Sequence, residues 1–486
     1  MGKLSRLEPE RVFYYFEEIS KIPHGSYNTK AISDYCMEFA KAHGLKYYQD
    51  EANNVIIYKD ATPGYEHISP VIIQGHLDMV CEKEADSTID FMKDGLELLV
   101  SGDDLYANKT TLGGDDGVAV ALGLAILEDN EKPHPALEVL FTTEEEVGLI
   151  GADALDTSRL SGKYFINLDS EEEHVLTCGC AGGIRVDGNI PVRREKFAGM
   201  QYTIELSSFL GGHSGMEIDK WHINPVILMG RLLYELAEAV PIRLLSLKGG
   251  NKDNAIPREA VAEVLIDISE SKKLEEAFAH SKEAFLSEFL SMEPEMKMVV
   301  TSCGEKEASV LSEEDFSNVT FFLQSSPVGV QAMSADIPGL VETSLNLGVL
   351  ELKEDRLAVS YALRSSKNTA RIALEKKMKQ YITHFPGGSA STRGEYPAWE
   401  YRKNSKLRDL CTAVYEERYH KKMKVEAIHA GLECGVFSEK IKDLDCVSLG
   451  ADVFDVHTPK EHLSISSTKR TYEYLWEILK KAKDWL

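Results

Sequence analysis

The chain has 486 residues, of which 43% are hydrophobic and 27% are charged, so its composition is that of a globular protein and excludes a disordered chain. Its length corresponds to about three domain-sized units. The net charge of −25 argues against nucleic acids and anionic membranes as partners, because an acidic surface repels phosphate groups.

The N-terminal sequence MGKLSRLEPERVFYYF is charged early and lacks the apolar core of an export signal. No stretch reaches the roughly 18 apolar residues that are needed to span a bilayer. Eight cysteines are too few for a disulfide scaffold in a chain of this length, so we expect reduced thiols. These features predict a soluble, cytoplasmic protein.

Hydrophobic periodicity predicts an α/β pattern over the first 185 residues. Two helices within residues 7–46 are separated by a break at Ile22-Pro23-His24-Gly25. Predicted strands at 53–58, 71–74, 137–142 and 164–168 then interleave with a predicted helix at 118–127. Strands that alternate with helices indicate a sheet covered by helices on both faces.

The pattern changes near residue 186. Predicted strands at 202–206, 260–266 and 357–362 alternate with long amphipathic helices at 225–240, 272–290 and 369–384. After the segment YPAW the α/β pattern returns, with a helix at 405–419, strands at 424–428 and 445–449, and a final helix. We therefore predict a first domain in two parts, 1–185 and 397–486, and an inserted α+β domain, 186–396.

The segment VIIQGHLDMV ends one predicted strand in His76 and Asp78. A spacing of two in an extended chain places both side chains on one face. A metal-bound histidine needs its second nitrogen anchored, commonly by a carboxylate. The pair is therefore a candidate metal site, although the same short pattern is also common by chance.

Further candidate metal ligands follow the other predicted strands, where the chain carries acidic residues and, near its end, a histidine. Two aspartates lie at the start of the predicted helix. As helix N-caps, the two aspartates of TLGGDDG could also be purely structural, and the glutamates could form a solvated loop. The carboxyl edge of a sheet is nevertheless where α/β enzymes place their sites. These candidates are Asp115, Asp116, Glu144, Glu145, Glu146, Asp169 and His457.

Two histidines with several carboxylates and no cysteine suit zinc, cobalt or manganese. That many ligands suit two metal ions about 3.5–4 Å apart, as in hydrolytic sites. A nucleotide-binding loop is disfavoured, because the aspartates after the paired glycines would repel phosphate and no GK[ST] follows them. The residues therefore predict a two-metal hydrolytic site.

The order HxD, GxDxG, EExG, Asp and a late His resembles that of the di-zinc aminoacylase/carboxypeptidase metallopeptidase superfamily. The segments IPHGS, QGHLDMVCEK, TTLGGDDG, NLDSEEE, CAGG, GGHSGMEI, HAGLECGVF and HTPKEHL are similar to its aminoacyl-histidine dipeptidase (Xaa-His dipeptidase, carnosinase-like) branch, over nearly the whole chain. The resemblance implies a mixed sheet sandwiched by helices, with the inserted domain as lid and dimerisation domain. It also implies metal-dependent hydrolysis of dipeptides, including carnosine-like Xaa-His substrates.

The resemblance further implies how two divalent ions, zinc or else cobalt or manganese, are held. His76 and Asp169 would bind one ion. Glu146 and His457 would bind the other. Asp115 would bridge both.

For the residues around the metals, the resemblance implies that Glu145 is the general base and that Asp78 orients His76. The EExG pattern sets this frame and leaves Glu144 outside the metal shell. One departure from the family is Asp116, which stands where asparagine is usual and adds a carboxylate without removing a ligand.

In the inserted domain, His213 of FLGGHSGM resembles the family's lid histidine, which stabilises the oxyanion and is often supplied across the dimer. Asn254 and Arg364 resemble lid residues that hold the substrate, and Arg364 suits a C-terminal carboxylate. Glu433 of GLECG is expected to contact the substrate's ammonium group, with a structural hydrogen-bonding role as the alternative. The expected assembly is a homodimer through the inserted domain.

Two other functions are compatible with these residues. An N-acyl amino acid deacylase could use the same two-metal site on a substrate without a free ammonium group. A non-catalytic metal-binding homologue could keep the fold, although the complete ligand set and the base argue against it.

Overall fold

The structure is a computed structural model that describes residues 2–486. The helices are α1 (Glu10–Ser20), α2 (Lys30–Ala42), α3 (Gly114–Glu128), α4 (Ile150–Ala154), α5 (Pro225–Ala239), α6 (Ser271–Phe289), α7 (Glu313–Ser325), α8 (Asn368–Thr383), α9 (Lys406–Tyr419), α10 (Glu433–Lys440) and α11 (Ile465–Trp485). The strands are β1 (Lys46–Gln49), β2 (Val55–Lys59), β3 (Val71–His76), β4 (Leu98–Ser101), β5 (Asp104–Ala107), β6 (Leu137–Thr142), β7 (Tyr164–Asn167), β8 (Val175–Cys180), β9 (Gly182–Pro191), β10 (Arg194–Ser207), β11 (Gly212–His213), β12 (Arg243–Gly249), β13 (Ala255–Ile256), β14 (Ala260–Ile266), β15 (Lys297–Leu311), β16 (Gly329–Met333), β17 (Val341–Leu352), β18 (Arg356–Ser365), β19 (Ser389–Tyr396), β20 (Lys424–Ile428), β21 (Asp445–Ser448), β22 (Val453–Phe454) and β23 (His462–Ser464).

The chain folds into two units, each with its own hydrophobic core. The first unit consists of Met1–Cys180, Trp399–Ala427 and Leu432–Leu486. The second consists of Ala181–Ala398 and the short segment Ile428–Gly431. The chain therefore leaves the first unit after β8 and returns to it before α9.

The first unit is built on an eight-stranded mixed sheet in the order β1-β2-β6-β3-β7-β21-β8-β20. Strands β6, β3, β7 and β21 run parallel to one another, whereas β2 pairs with β6, and β8 with β21, in the antiparallel direction. The central strand β3 is buried along its whole length, as a parallel strand covered on both faces must be. The mixed α/β fold predicted from the sequence is confirmed.

Helix α3 is buried on every side, since each residue from 117 to 127 is inaccessible to solvent. A helix that is apolar all round belongs in the centre of a domain. Gly123 lets it approach the sheet closely, because a Cβ there would lie 3.0 Å from Phe141 and Val139 of β6. The helix begins at Gly114, four residues before its predicted start, and Asp115 and Asp116 keep non-helical backbone angles.

The second unit is an antiparallel sheet in the order β15-β10-β14-β12-β17-β18-β9-β19, with β16 paired to β17. The apolar sides of α5 to α8 contribute to its core. The predicted helices at 225–240, 272–290 and 369–384 are confirmed to within one residue at each end. The sequence analysis missed α7 and the long edge strand β15, whose residues are mostly exposed.

All eight cysteines are free thiols. Six of them are buried and act as small apolar side chains. Within residues 2–486, no helix combines the length and the apolar character that crossing a membrane requires.

Candidate metal centre

The parallel strands of the first unit bring several candidate residues to one edge of the sheet. His76 ends β3 and pairs in register with Thr142, the last residue of β6, which leads directly into the glutamate loop. Gln74 pairs with Asn167 at the end of β7, so Asp169, two residues further, reaches the level of His76. These are the strand ends at which the sequence predicted metal ligands.

The carboxylate of Asp115 lies between two imidazole rings. Its Oδ1 is 3.0 Å from His76 Nε2, and its Oδ2 is 3.1 Å from His457 Nε2. The same nitrogen of His457 is 3.0 Å from Glu146 Oε1, and His76 Nε2 is 3.8 Å from Asp169 Oδ1. One oxygen of Asp115 thus faces each histidine, which is the arrangement of a bridging ligand.

Three groups of side chains in this cluster could hold a metal ion, with ligand atoms that all lie within 4.8 Å of one another in each group. The groups are His76, Asp116 and Asp169; His76, Glu145 and Glu146; and Asp115, Glu146 and His457. All five residues predicted as ligands take part. Asp116, which the sequence analysis did not assign as a ligand, also accepts the backbone N–H of His76 at 3.2 Å.

The cluster contains more buried carboxylates than it can hold ionised without cations. Burial raises the pKa of Asp169 and Asp116 well above the usual range of aspartate. Burial also raises the pKa of Glu145, to about 8. Protons held in this way are released when a metal ion binds.

The pKa of His457 also reflects the excess of negative charge in this cluster. Hydrogen bonds with Asp115 and Glu146 raise the pKa of His457 to about 11. Although burial opposes it, hydrogen bonds with His457 and His76 hold the pKa of Asp115 below its usual value. Because nitrogen and oxygen donors converge here around a carboxylate excess, the residues fit divalent metal ions.

Asp78 holds the glutamate loop in addition to lying beside His76. Its Oδ1 is 3.6 Å from His76 Nδ1, and that nitrogen is 2.9 Å from the backbone carbonyl oxygen of Asp78. The same carboxylate accepts the backbone N–H groups of Glu145 at 2.9 Å and Glu146 at 3.3 Å, and the hydroxyl of Ser26 at 2.8 Å. The sequence analysis did not anticipate this contact with the loop.

Glu144 is directed to a different part of the unit from the two glutamates that follow it. Its carboxylate accepts the backbone N–H of Tyr27 at 2.5 Å and the hydroxyl of Thr29 at 2.9 Å. Both donors precede α2, so Glu144 stabilises the start of that helix. Glu145 and Glu146 are the members of the loop whose side chains join the candidate ligand groups.

Glu433 begins α10 and is fully buried in the first unit. Its Oε2 accepts hydrogen bonds from Gln74 Nε2 at 2.5 Å and from Thr142 Oγ1 at 2.6 Å. Its Oε1 has no hydrogen-bond partner among the described residues. Burial raises the pKa of this carboxyl group to about 7.

The second unit contains a pair of adjacent hydrogen-bond donors, His213 and Arg364. His213 Nδ1 accepts the backbone N–H of Met216 at 3.0 Å, and burial together with Arg364 lowers the pKa of His213 to about 4. The neutral ring therefore carries its proton on Nε2, which lies 3.5 Å from Arg364 Nη2. Two adjacent donors with no acceptor between them are suited to bind an oxygen of a ligand.

Two further residues complete this group, and the sequence analysis assigned a role to neither. The hydroxyl of Tyr396 accepts from Arg364 Nη1 at 2.8 Å. His429 contacts Ser344 Oγ at 2.7 Å, and burial together with Arg364 lowers the pKa of His429 to about 3. His429 lies within the motif HAGLECGVF, which was the available sequence signal, whereas nothing in the sequence distinguished Tyr396.

Asn254 lines a cavity of about 790 Å³ in the second unit, and His213 contributes to the same wall. The backbone carbonyl of Asn254 accepts the N–H of Ser214 at 2.9 Å, which fixes the two segments side by side. The cavity is large enough for a small ligand.

A helix-covered mixed sheet with histidines and carboxylates converging at its carboxyl edge defines the class of metal-dependent hydrolases. Comparison with known proteins narrows this class. Residues 204–292 match the family described as peptidase dimerisation domain. A cytosol non-specific dipeptidase of Escherichia coli (strain K12) is 34% identical over 485 residues, which cover 99% of each chain.

Solved structures also place the chain among dipeptidases. The aminoacylhistidine dipeptidase of Vibrio alginolyticus aligns with a TM-score of 0.91 and 33% identity, over 98% of both chains. The aminopeptidase PepT of Bacillus cereus, at 14% identity and a TM-score of 0.56, shares the fold. The chain belongs to the M20 family of metallopeptidases, among its dipeptidases.

Proposed function

We propose that this protein is a metal-dependent dipeptidase that hydrolyses Xaa-His and other dipeptides. The observation that carries the proposal is the Asp115 carboxylate, which faces His76 with one oxygen and His457 with the other. The names of the Escherichia coli and Vibrio alginolyticus relatives, a non-specific and an aminoacylhistidine dipeptidase, support a dipeptide substrate.

The proposed cofactor is a pair of divalent metal ions, zinc in the first place, with cobalt and manganese as alternatives. His76 and Asp169 would hold one ion, Glu146 and His457 would hold the other, and Asp115 would contact both. When bound, the two ions lower the pKa of a water molecule toward about 7 and polarise the substrate carbonyl group.

Glu145 is the proposed general base. Its carboxylate would take a proton from the attacking water and then deliver that proton to the leaving amine. The backbone N–H bond to Asp78 supports this role, because it fixes the loop on which Glu145 is carried. Glu144 is unsuited to the role, since its carboxylate is engaged before α2.

The donor pair of the second unit is proposed to bind oxygen atoms of the substrate. His213 Nε2–H would stabilise the carbonyl oxygen as it becomes negative. Arg364 would bind the C-terminal carboxylate, since its buried guanidinium has a neutral partner in Tyr396 and an Nε without a partner among the described residues. Asn254 would contact the substrate from the cavity wall, and Glu433 would hold its ammonium group.

The assembly that we propose is a homodimer formed through the second unit, in the cytoplasm. The match of residues 204–292 to a peptidase dimerisation domain supports the dimer. A mixed-dimer experiment would show whether His213 serves the site of its own subunit or that of its partner. The name of the Escherichia coli relative supports the location.

The decisive variant is Glu145→Gln, with Glu144→Gln as its matched control. We expect Glu145→Gln to retain two metal ions per chain, as measured by elemental analysis, and to lose dipeptide hydrolysis. Glu144→Gln should keep its activity. Full activity in Glu145→Gln would reject the assigned base.

A substrate panel tests the reaction itself. Zinc-, cobalt- and manganese-loaded protein should cleave dipeptides that have a free ammonium group, carnosine-like ones included, and leave N-acetyl amino acids intact. The opposite preference would identify a deacylase. No turnover of any dipeptide with both metals bound would identify a non-catalytic homologue.

A further inference from the structure

One buried glutamate binds a continuous run of backbone N–H groups in the first unit. Glu461 Oε2 accepts the N–H groups of Leu112 at 2.8 Å and Gly113 at 3.1 Å. Its Oε1 accepts those of Gly114 at 2.7 Å and Asp115 at 3.2 Å. The fourth donor belongs to the residue whose side chain lies between the two metal-site histidines.

The contact is built for a carboxylate. Glu461 is 2% exposed, and each of its oxygens accepts two N–H groups. Such charge-assisted bonds at the start of a helix are favoured by the positive end of the helix dipole. Gly114 makes room for the contact, because a Cβ on it would lie 3.2 Å from Val453 and 3.3 Å from Glu461 Oε1.

The backbone of the same residue closes the turn that directly follows the second histidine. The N–H of Glu461 donates to the carbonyl oxygen of Thr458 at 3.1 Å, and the Thr458 hydroxyl donates to the carbonyl oxygen of Asp455 at 2.7 Å. His457 lies between Asp455 and Thr458, with a positive φ of 61°. Glu461 therefore joins two ligand-bearing segments that are more than 340 residues apart in the sequence.

We propose that Glu461 is a positioning residue that sets Asp115 and His457 at the separation that the metal ions require. The inference rests on the proposed function for the identity of the ligands. A glutamine at this position would present an N–H₂ group to two of the four N–H donors, and this group cannot accept their hydrogen bonds. The loop before α3 would therefore be held less firmly, while the fold is kept. Loss of such a supporting contact lowers metal affinity by about 10- to 100-fold.

The test compares Glu461→Gln with Glu138→Gln in the full-length protein. Glu138 is the matched control, because it too is buried and accepts two backbone N–H groups, those of Ser161 and Gly162, at 3.0 Å. It lies four residues before the end of β6, which places it about 13 Å from the metal edge. Zn²⁺ affinity and stoichiometry are measured by competition with a chromophoric chelator, and folding is measured by circular dichroism and melting of the metal-free proteins.

We expect both variants to melt at lower temperature and only Glu461→Gln to bind Zn²⁺ about 10- to 100-fold more weakly. Its dipeptidase activity should recover as Zn²⁺ is raised, which a merely unstable protein would not show. Wild-type Zn²⁺ affinity in folded Glu461→Gln overturns the proposal.

If Glu461→Gln does not fold, Gly114→Ala decides, because it keeps the carboxylate and sets a methyl group 3.2 Å from Val453 and 3.3 Å from Glu461 Oε1, so that these neighbours must shift by a few tenths of an ångström. A weaker shift in the same direction supports the positioning role, and wild-type Zn²⁺ affinity in Gly114→Ala overturns it. Because the readout is metal binding, the inference survives if the wild-type protein binds Zn²⁺ but cleaves no dipeptide, an outcome that would reject the proposed function alone.

Discussion

Replacing Asp78 with asparagine should weaken the support of the glutamate loop that carries the proposed base. The substitution keeps the shape of the side chain but turns one oxygen into an N–H₂ group, which cannot accept a hydrogen bond. The least costly orientation places this group at the Oδ2 position, because the hydroxyl of Ser26 can turn and accept from it. The N–H of Glu146 then faces another donor, and the bond from Glu145 loses its charge assistance.

The size of the effect follows from these contacts. Asp78 is 1% exposed, so its carboxylate accepts these hydrogen bonds away from bulk water. A hydrogen bond to a charged group contributes about 1.5–3 kcal/mol. If this energy positions the loop that carries the base, kcat/KM should fall roughly 10- to 150-fold.

The assay is steady-state hydrolysis of dipeptides at saturating zinc, together with elemental analysis and thermal melting. Asp445→Asn is the control, because Asp445 is also buried and accepts a serine hydroxyl at 2.6 Å and a backbone N–H at 3.2 Å. It begins β21 and therefore lies at the other end of that strand from the metal edge. Asp445→Asn should lower the melting temperature and leave kcat/KM unchanged, and an equal kcat/KM in both variants would refute the reasoning.

Three further outcomes follow from the described contacts. Arg364→Met should raise KM for dipeptides by about 10- to 100-fold, because it removes the proposed partner of the C-terminal carboxylate. Dipeptide amides lack this carboxylate, so their KM should stay constant in the same assay. Lys59→Met should lower the free energy of unfolding by about 1–3 kcal/mol, because the ammonium group of Lys59 donates to the carbonyl oxygens of Ile126 and Leu127 at the end of α3. Urea denaturation measures this change, and an unchanged urea midpoint would contradict it. His429 has a pKa of about 3 when folded and an ordinary value of 6.5, so between these values only the unfolded chain takes up its proton. The free energy of unfolding should therefore decrease as the pH drops below about 6.5. In acid denaturation, the His429→Asn variant should lose less of its stability over that range than the wild-type protein.

The sequence predicted those parts of the fold whose signal is local. The apolar run at 71–74 predicted a strand and the apolar stretch at 118–127 predicted a helix, and the structure has β3 and α3 there. The strand β15, with the sequence KMVVTSCGEKEASVL, was missed because it lies at the edge of its sheet and is exposed along most of its length, so it lacks a clear apolar pattern. Its position depends on a ladder with β10, which no local pattern reveals.

The same distinction applies to the candidate site. His76 and Asp169 could be placed at strand ends because both follow recognisable apolar runs. The bonds from Asp78 to the glutamate loop join residues 67 and 68 positions apart, and their geometry depends on how two strands pair. The resemblance to a known family supplied the roles that the residues alone left open.

The division of the first unit into separate chain segments has a consequence for biosynthesis. Strand β21 pairs with both β7 and β8, yet it is translated after the whole of the second unit's sheet. A nascent chain can therefore complete the antiparallel sheet while the mixed sheet still lacks an internal strand. Because His457 follows β21 in the chain, the candidate ligand set is complete only once both the second unit and β21 have been synthesised.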